Sequence, residues 1–281
     1  MELESSDQLA VLGHPQRLAV FRLLMRRYPD RVPAGELSGA LGVKPSTMST
    51  YLSALLRAGL VAQDRVGTSL LYSVNMTAVQ QLFGFLFQDC CRGRPDICTD
   101  LSMFPSPESA AMTDRKYNVL FICTGNSARS IFAESLLRSL GQDRFTAYSA
   151  GTTPKSELNP FALQVLQDKG HDIGDLRAKN VSELSGPDAP EMDFVFTVCN
   201  QAANEECPAW DGQPISGHWG MEDPVKATGT NAQKSLAFQQ AYGALKRRIE
   251  AFTALPVSSL DRIALQQAVD DIGRVTPETT Q

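Results

Sequence analysis

The feature that most restricts what this chain can fold into is the twelve-residue stretch from Val119 to Ser130. It opens with the apolar run Val119-Leu-Phe-Ile122, continues as Cys123-Thr-Gly-Asn-Ser-Ala-Arg129-Ser130, and leads into a helix-like segment. A short unbroken apolar run bounded by turn residues suits a strand buried on both faces. Strand, polar loop and helix in that order place Cys123 at the carboxyl end of a strand, where open α/β sheets hold their ligands. The rest of the chain from Lys116 agrees, with strands expected at 118–122, 146–149 and 193–198. Helices are expected at 130–140, 160–169, 231–252 and 259–272, and a frayed tail from Thr276. Such alternation implies a flavodoxin-like α/β domain, a parallel sheet covered on both faces.

A thiol followed by five residues and an arginine at such a turn is suited to a tetrahedral oxyanion. Thr124, Gly125, Asn126, Ser127, Ala128, Arg129 and Ser130 form the candidate oxyanion loop. Its amides can curl around an anion while the following helix directs its positive end inward. Arg129 offers a planar fork for two oxygens. Together these are expected to pull the Cys123 thiol from about 8.5 towards 7 or below, giving a thiolate nucleophile. Ser130 can donate a hydrogen bond to the sulfur. Downstream, Asp223 in His218-Trp-Gly-Met-Glu-Asp223-Pro224 is a candidate proton donor to a departing oxygen. The alternatives are a buried structural thiol beside a chance arginine, and an Asp-Pro pair that only makes a turn.

The first hundred residues read differently. Leu9 to Tyr28 has helical periodicity, and 33–41 forms a short helix ending at Gly42. A second helix starts near Pro45, with Met48, Leu52, Leu55 and Leu56 turned inward. Gly59 stops it. Strands at 60–64 and 69–74 flank a hairpin with Gly67 at its tip, and 77–89 closes with another helix. This order describes an α+β winged helix-turn-helix domain. Residues 99–114, rich in proline and serine, read as a linker. The expected organisation is therefore a DNA-binding and dimerisation domain over 1–98, the linker, and an enzyme domain over 115–281.

Composition narrows the function classes. The net charge of −5 over 281 residues gives no global polybasic signature, so DNA binding needs a local patch. The N-terminus lacks the regions of a signal peptide, and no apolar run approaches the roughly 18 residues of a membrane helix. The expected location is the cytoplasm, with no membrane association. There the six cysteines read as reactive or metal-binding thiols and not as a disulfide framework.

The Cys123 loop, Ser149-Ala-Gly-Thr152, Phe194-Val-Phe-Thr-Val-Cys199 and His218-Trp-Gly through Asp223-Pro together resemble the arsenate reductases of the low-molecular-weight tyrosine phosphatase superfamily. The resemblance spans roughly Lys116 to Ile272. It implies Cys123 as nucleophile, Arg129 as oxyanion clamp and Asp223 as general acid. It further implies a thiol relay in which Cys199 attacks Cys123 and releases arsenite. Cys207 then attacks Cys199, leaving a disulfide for thioredoxin or another thiol system; no tightly bound organic cofactor is implied. Packed, unreactive thiols at 199 and 207 are the alternative. Position 128 is Ala, where typical phosphatases of the family carry a second Cys, and this favours the reductase branch.

Leu12-Gly-His-Pro-Gln-Arg-Leu18, Gly35-Glu-Leu-Ser-Gly-Ala-Leu41, Ser46-Thr-Met-Ser-Thr-Tyr-Leu52 and Ala58-Gly-Leu-Val61 resemble the ArsR/SmtB winged-helix repressors. Lys44, Ser46, Thr47, Ser49, Thr50, Tyr51 and Arg65 are the candidate DNA contacts, each of which can equally be a solvated side chain. Many members carry metal-binding cysteines in the helix corresponding to 36–41; this chain has none there. Instead Cys90, Cys91 and Cys98 follow the closing helix and offer the soft thiolate set that As(III) favours. Cys90 and Cys91 can share one ion only if the helix ends there, because adjacent helical residues point about 100° apart. A chance cluster is the alternative. The apolar closing helix, with Phe83, Phe85 and Phe87, suits pairing in a homodimer on a two-fold operator.

These strands combine into one expectation: an arsenite-induced repressor of operator DNA fused to an arsenate reductase. The alternatives are a tyrosine phosphatase joined to a DNA-binding regulator, and a regulator whose second domain only senses an oxyanion.

Overall fold

The computed structural model describes residues 2–90, 115–186, 188–205, 210 and 212–274. The linker expected over 99–114 and the tail from Thr276 lie outside the described residues. The chain divides into two units, Met1–Ala111 and Met112–Gln281, and each has its own apolar core.

The first unit begins with helices α1 (Glu2–Leu12) and α2 (Pro15–Arg26). The single helix expected over Leu9 to Tyr28 is thus two. Pro15 has no N–H to continue the ladder and disfavours a helical conformation at His14. The His14 ring nitrogen instead accepts from the Gln16 amide at 3.2 Å and caps α2. After the short strand β1 (Val32–Pro33), α3 (Ala34–Leu41) ends at Gly42, whose φ of 62° is the left-handed C-cap. Helix α4 (Pro45–Arg57) follows, with Pro45 in its first turn and Met48, Leu52 and Leu55 buried. The wing is a hairpin of β2 (Val61–Val66) and β3 (Ser69–Val74), and β1 pairs with β3 to give the antiparallel order β1-β3-β2. Helix α5 (Met76–Phe85) is capped by Asn75 and passes into a π-helical turn, Leu86–Cys90.

The second unit is built on β4 (Tyr117–Cys123), β5 (Phe145–Gly151), β6 (Phe194–Thr197) and β7 (Ile215–His218), all parallel in the order β5-β4-β6-β7. Helices α6 (Arg129–Leu140), α7 (Pro160–Asp168), α8 (Asn200–Asn204), α9 (Asn231–Thr253) and α10 (Arg262–Arg274) connect or flank the strands. Val119 to Ile122 are fully buried, as a central parallel strand requires. The chain leaves β4 for β5 on one side and returns to β6 on the other. The order reverses at β4 and β6, so the crevice at their carboxyl ends is the expected ligand position. Strand β7 was not expected from the sequence: Ile215-Ser-Gly-His218 is short and has one strongly apolar residue. Gly217 lets it lie against the neighbouring layer, since a Cβ there would stand 2.8 Å from Val269 of α10.

Among the described residues, no helix is long and apolar enough to cross a membrane.

Candidate active site

Cys123 is the last residue of β4 and is 2 % exposed. The loop after it doubles back on the sulfur. Asn126, held in the left-handed region at φ 42°, donates its amide to Cys123 Sγ at 3.2 Å. Ser130, in the first turn of α6, stands 2.9 Å from the same sulfur through its hydroxyl. The loop is braced by the segment that follows β5. Thr153, Lys155 and Asn159 donate their amides to the carbonyls of Thr124, Gly125 and Ser127, each at 2.9 Å. Gly151 is required where β5 meets the loop, since a Cβ there would stand 2.6 Å from the Thr124 carbonyl oxygen and 3.0 Å from Asn126.

The seven candidate oxyanion residues divide by placement. Asn126, Ala128, Arg129 and Ser130 are buried, while Thr124, Gly125 and Ser127 are half-buried. The Asn126 side chain works behind the loop. Its amide nitrogen donates to Ser130 Oγ at 2.9 Å and Ser149 Oγ at 2.8 Å, and its oxygen accepts from the Lys179 amide at 2.7 Å. Ser149 in turn donates to Glu134, a carboxylate 1 % exposed that also receives Lys179 Nζ at 3.1 Å and the Arg138 guanidinium. Sequence reasoning missed this support of Glu134, Ser149 and Lys179. The sequence carries no clear signal for it, since Arg129, Ser130, Glu134 and Ser135 read as a polar helix face. Only the structure buries all of Arg129 to Leu137, and a buried carboxylate then needs partners.

Arg129 pairs with Asp223 at 2.9 Å and donates to the Met221 carbonyl at 3.2 Å. The structure therefore brings together three of the five candidate catalytic residues, Cys123, Arg129 and Asp223. Cys199 is a fourth. It directly follows β6 and Val198, is 1 % exposed, and caps α8 by accepting from the Ala202 amide at 3.4 Å. Thr124 Oγ1 lies 3.4 Å from its sulfur and so spans the two strand ends. Cys207 lies outside the described residues.

The expectation of a depressed Cys123 pKa is not met. Burial pushes the thiol up, and the neighbouring Cys199 adds to this; the Ser130 hydroxyl and amide and then Arg129 pull the other way and do not prevail. The physical reason is that burial disfavours the charged thiolate more than the Ser130 hydrogen bonds and Arg129 favour it.

The sensor and DNA-contact candidates lie in the first unit. Cys90 is exposed at the end of the π-helical turn, whereas Cys91 and Cys98 lie outside the described residues. Among the described residues no group of three His, Cys, Asp or Glu side chains is placed to hold a metal ion. Lys44, Ser46, Ser49, Thr50 and Arg65 are exposed and Thr47 half-buried. Ser49 and Thr50 turn their hydroxyls to the carbonyls of Pro45 and Ser46. Tyr51 is half-buried, packs on the core of this unit and lies 5.3 Å from the His14 ring.

Comparison with known proteins agrees with both halves of this picture. A helix-turn-helix domain family matches residues 12–64, and the low molecular weight phosphotyrosine protein phosphatase family matches residues 118–264. An arsenate reductase of Bacillus licheniformis is 36 % identical over 138 residues, which are 49 % of this chain and 95 % of that protein. One of Shouchella clausii is 36 % identical over 135 residues, 48 % of this chain and 93 % of its own. A solved arsenate reductase in an oxidized state is 27 % identical, covering 49 % of this chain and 96 % of its own, with a TM-score of 0.40. With a helix-turn-helix domain ahead of it, the Cys123 half places this chain in the low molecular weight phosphotyrosine protein phosphatase family.

Proposed function

We propose that the chain couples arsenate reduction to arsenite-controlled transcription. The observation that carries the enzymatic half is a pair of buried thiols, Cys123 and Cys199, at the carboxyl ends of adjacent parallel strands, beside an Arg129–Asp223 pair. A phosphatase of this type needs one thiol, one arginine and one acid; a reductase also needs a source of two electrons, and a second thiol is such a source.

In this reading arsenate takes the place of Asp223 at the Arg129 guanidinium, and Asp223, released from the pair, is free to take up a proton. The Cys123 thiolate attacks As(V), and an oxygen leaves as water with a proton from Asp223. Cys199 then attacks the Cys123 sulfur. The S–As bond breaks, its electron pair stays with arsenic, and arsenite departs as As(III), leaving a Cys123–Cys199 disulfide. Attack of Cys207 on Cys199 frees the Cys123 thiolate and forms Cys199–Cys207, which an external dithiol of the thioredoxin kind reduces. Such chemistry fits a reducing cytoplasm.

The regulatory half rests on the helix-turn-helix with Lys44, Ser46, Thr47, Ser49, Thr50, Tyr51 and Arg65 on or beside α4 and the wing. The chain acts as a homodimeric repressor, and As(III) held by Cys90, Cys91 and Cys98 releases it from its operator. Arsenite-induced release of operator DNA in a gel shift should be lost in Cys90→Ser and in Cys91→Ser; undiminished release rules the site out.

A phosphatase fused to a regulator is the competing reading. Steady-state assays on the intact chain separate them: thiol-dependent arsenate turnover should exceed aryl-phosphate hydrolysis in kcat/KM. Efficient aryl-phosphate hydrolysis with arsenate acting only as an inhibitor is the contrary result.

A further inference from the structure

The helix that begins beside Cys199 and the loop that carries Asp223 meet at a buried histidine. His218 ends β7 next to Thr197, its partner in the parallel register, and is 1 % exposed. Its Nδ1 lies 2.7 Å from Thr197 Oγ1 and its Nε2 3.3 Å from Asn200 Oδ1. Asn200 is the first residue of α8, immediately after the capping Cys199. Gly220 closes on the same pair: a Cβ there would stand 2.5 Å from both Asn200 Oδ1 and His218 Nε2. Met221, whose carbonyl receives Arg129, and Asp223 follow directly along the chain.

Helix α8 has five residues, too few to be stable by itself. Its cap on the Cys199 side is a sulfur acceptor at 3.4 Å. The side-chain anchor at Asn200 therefore weighs heavily in whether Cys199 stays inside or swings out. Thr197, on the strand, fixes the histidine ring from one side, and the ring presents its other nitrogen to the helix.

We propose that Asn200 and His218 form a latch that holds Cys199 in its buried, capped position, and that this latch must open for Cys199 to reach a sulfur outside the pocket. Both are positioning residues, since they act on Cys199 through α8. Through Gly220 the latch also abuts the chain leading to Asp223. The purpose of the latch rests on the relay reading, but its existence does not.

The test uses the reduced full-length protein, alkylated with iodoacetamide and followed cysteine by cysteine by mass spectrometry. Asn200→Ala should raise the Cys199 labelling rate about fivefold, the weight of one ordinary net hydrogen bond, and leave the Cys123 rate unchanged. Asn200→Asp keeps an acceptor oxygen at the same place and should return Cys199 to the wild-type rate or below. An unchanged Cys199 rate in Asn200→Ala, an equal rise at Cys123, or no restoration by Asp overturns the latch. No arsenate is present, so failure of the reductase reading registers separately, in turnover.

Discussion

Arg129 serves two sites in turn. Its guanidinium holds Asp223 at 2.9 Å and the Met221 carbonyl at 3.2 Å, and it is one of the groups pulling the buried Cys123 thiol down. Burial prevails over it. Replacing Asp223 by Asn removes a negative charge from this neighbourhood. That favours the thiolate, the charged form of the thiol, so the Cys123 pKa should fall. The pH midpoint of Cys123 alkylation in Asp223→Asn should accordingly lie below that of wild type; an equal or higher midpoint means that the pair does not restrain the arginine. Behind the sulfur, Glu134 shows how a polar residue becomes necessary in an apolar layer. It takes Ser149, Lys179 and Arg138, and Ser149 passes the order on to Asn126.

At the scale of elements, the contact between β5 and the Cys123 loop is a tightly fitted joint. A methyl at Gly151 meets backbone, the Thr124 carbonyl oxygen at 2.6 Å and the Asn126 nitrogen at 3.0 Å, which cannot rotate away. Gly151→Ala should cost about 1–3 kcal/mol in urea unfolding of the second unit and weaken phosphate binding. Gly243 in α9 is the counterpart, since a Cβ there meets nothing nearer than Arg247 Nη1 at 3.8 Å. Gly243→Ala should be neutral or stabilising by up to about 1 kcal/mol. The reverse order of the two effects contradicts the packing described. These elements were not equally legible in the sequence. Val119 to Ile122 announced a buried strand because every residue is apolar, and α9 announced itself through Phe238, Tyr242, Leu245, Ile249 and Phe252 at helical spacing. The break at His14 was also written there, in Pro15, but the apolar period running across it concealed the stop. Strand β7 was hidden because four residues around a glycine carry no period. Its place is set by pairing with β6, a contact distant in sequence.

On the scale of the whole molecule, two separate cores divide two kinds of chemistry between a helix-turn-helix unit and a parallel sheet. Cys123, Arg129 and Asp223 were legible because their chemistry is local or motif-bound. The linkage of Cys199 to the acid loop through His218 was not, because it depends on β6 and β7 being neighbours. The depressed thiol was misjudged for a related reason: a sequence shows Arg129 near Cys123 but not how completely the sulfur is buried. The claim on which the functional account turns is that electrons pass from Cys123 and Cys199 to arsenate. Its most direct measurement is arsenate-dependent oxidation of a thioredoxin-type dithiol by the wild type and by Cys123→Ser, Cys199→Ser and Cys207→Ser. Cys123→Ser and Cys199→Ser should abolish turnover, and Cys207→Ser should stop thioredoxin-coupled turnover after about one arsenite per chain. Sustained wild-type turnover by Cys199→Ser and Cys207→Ser contradicts the account.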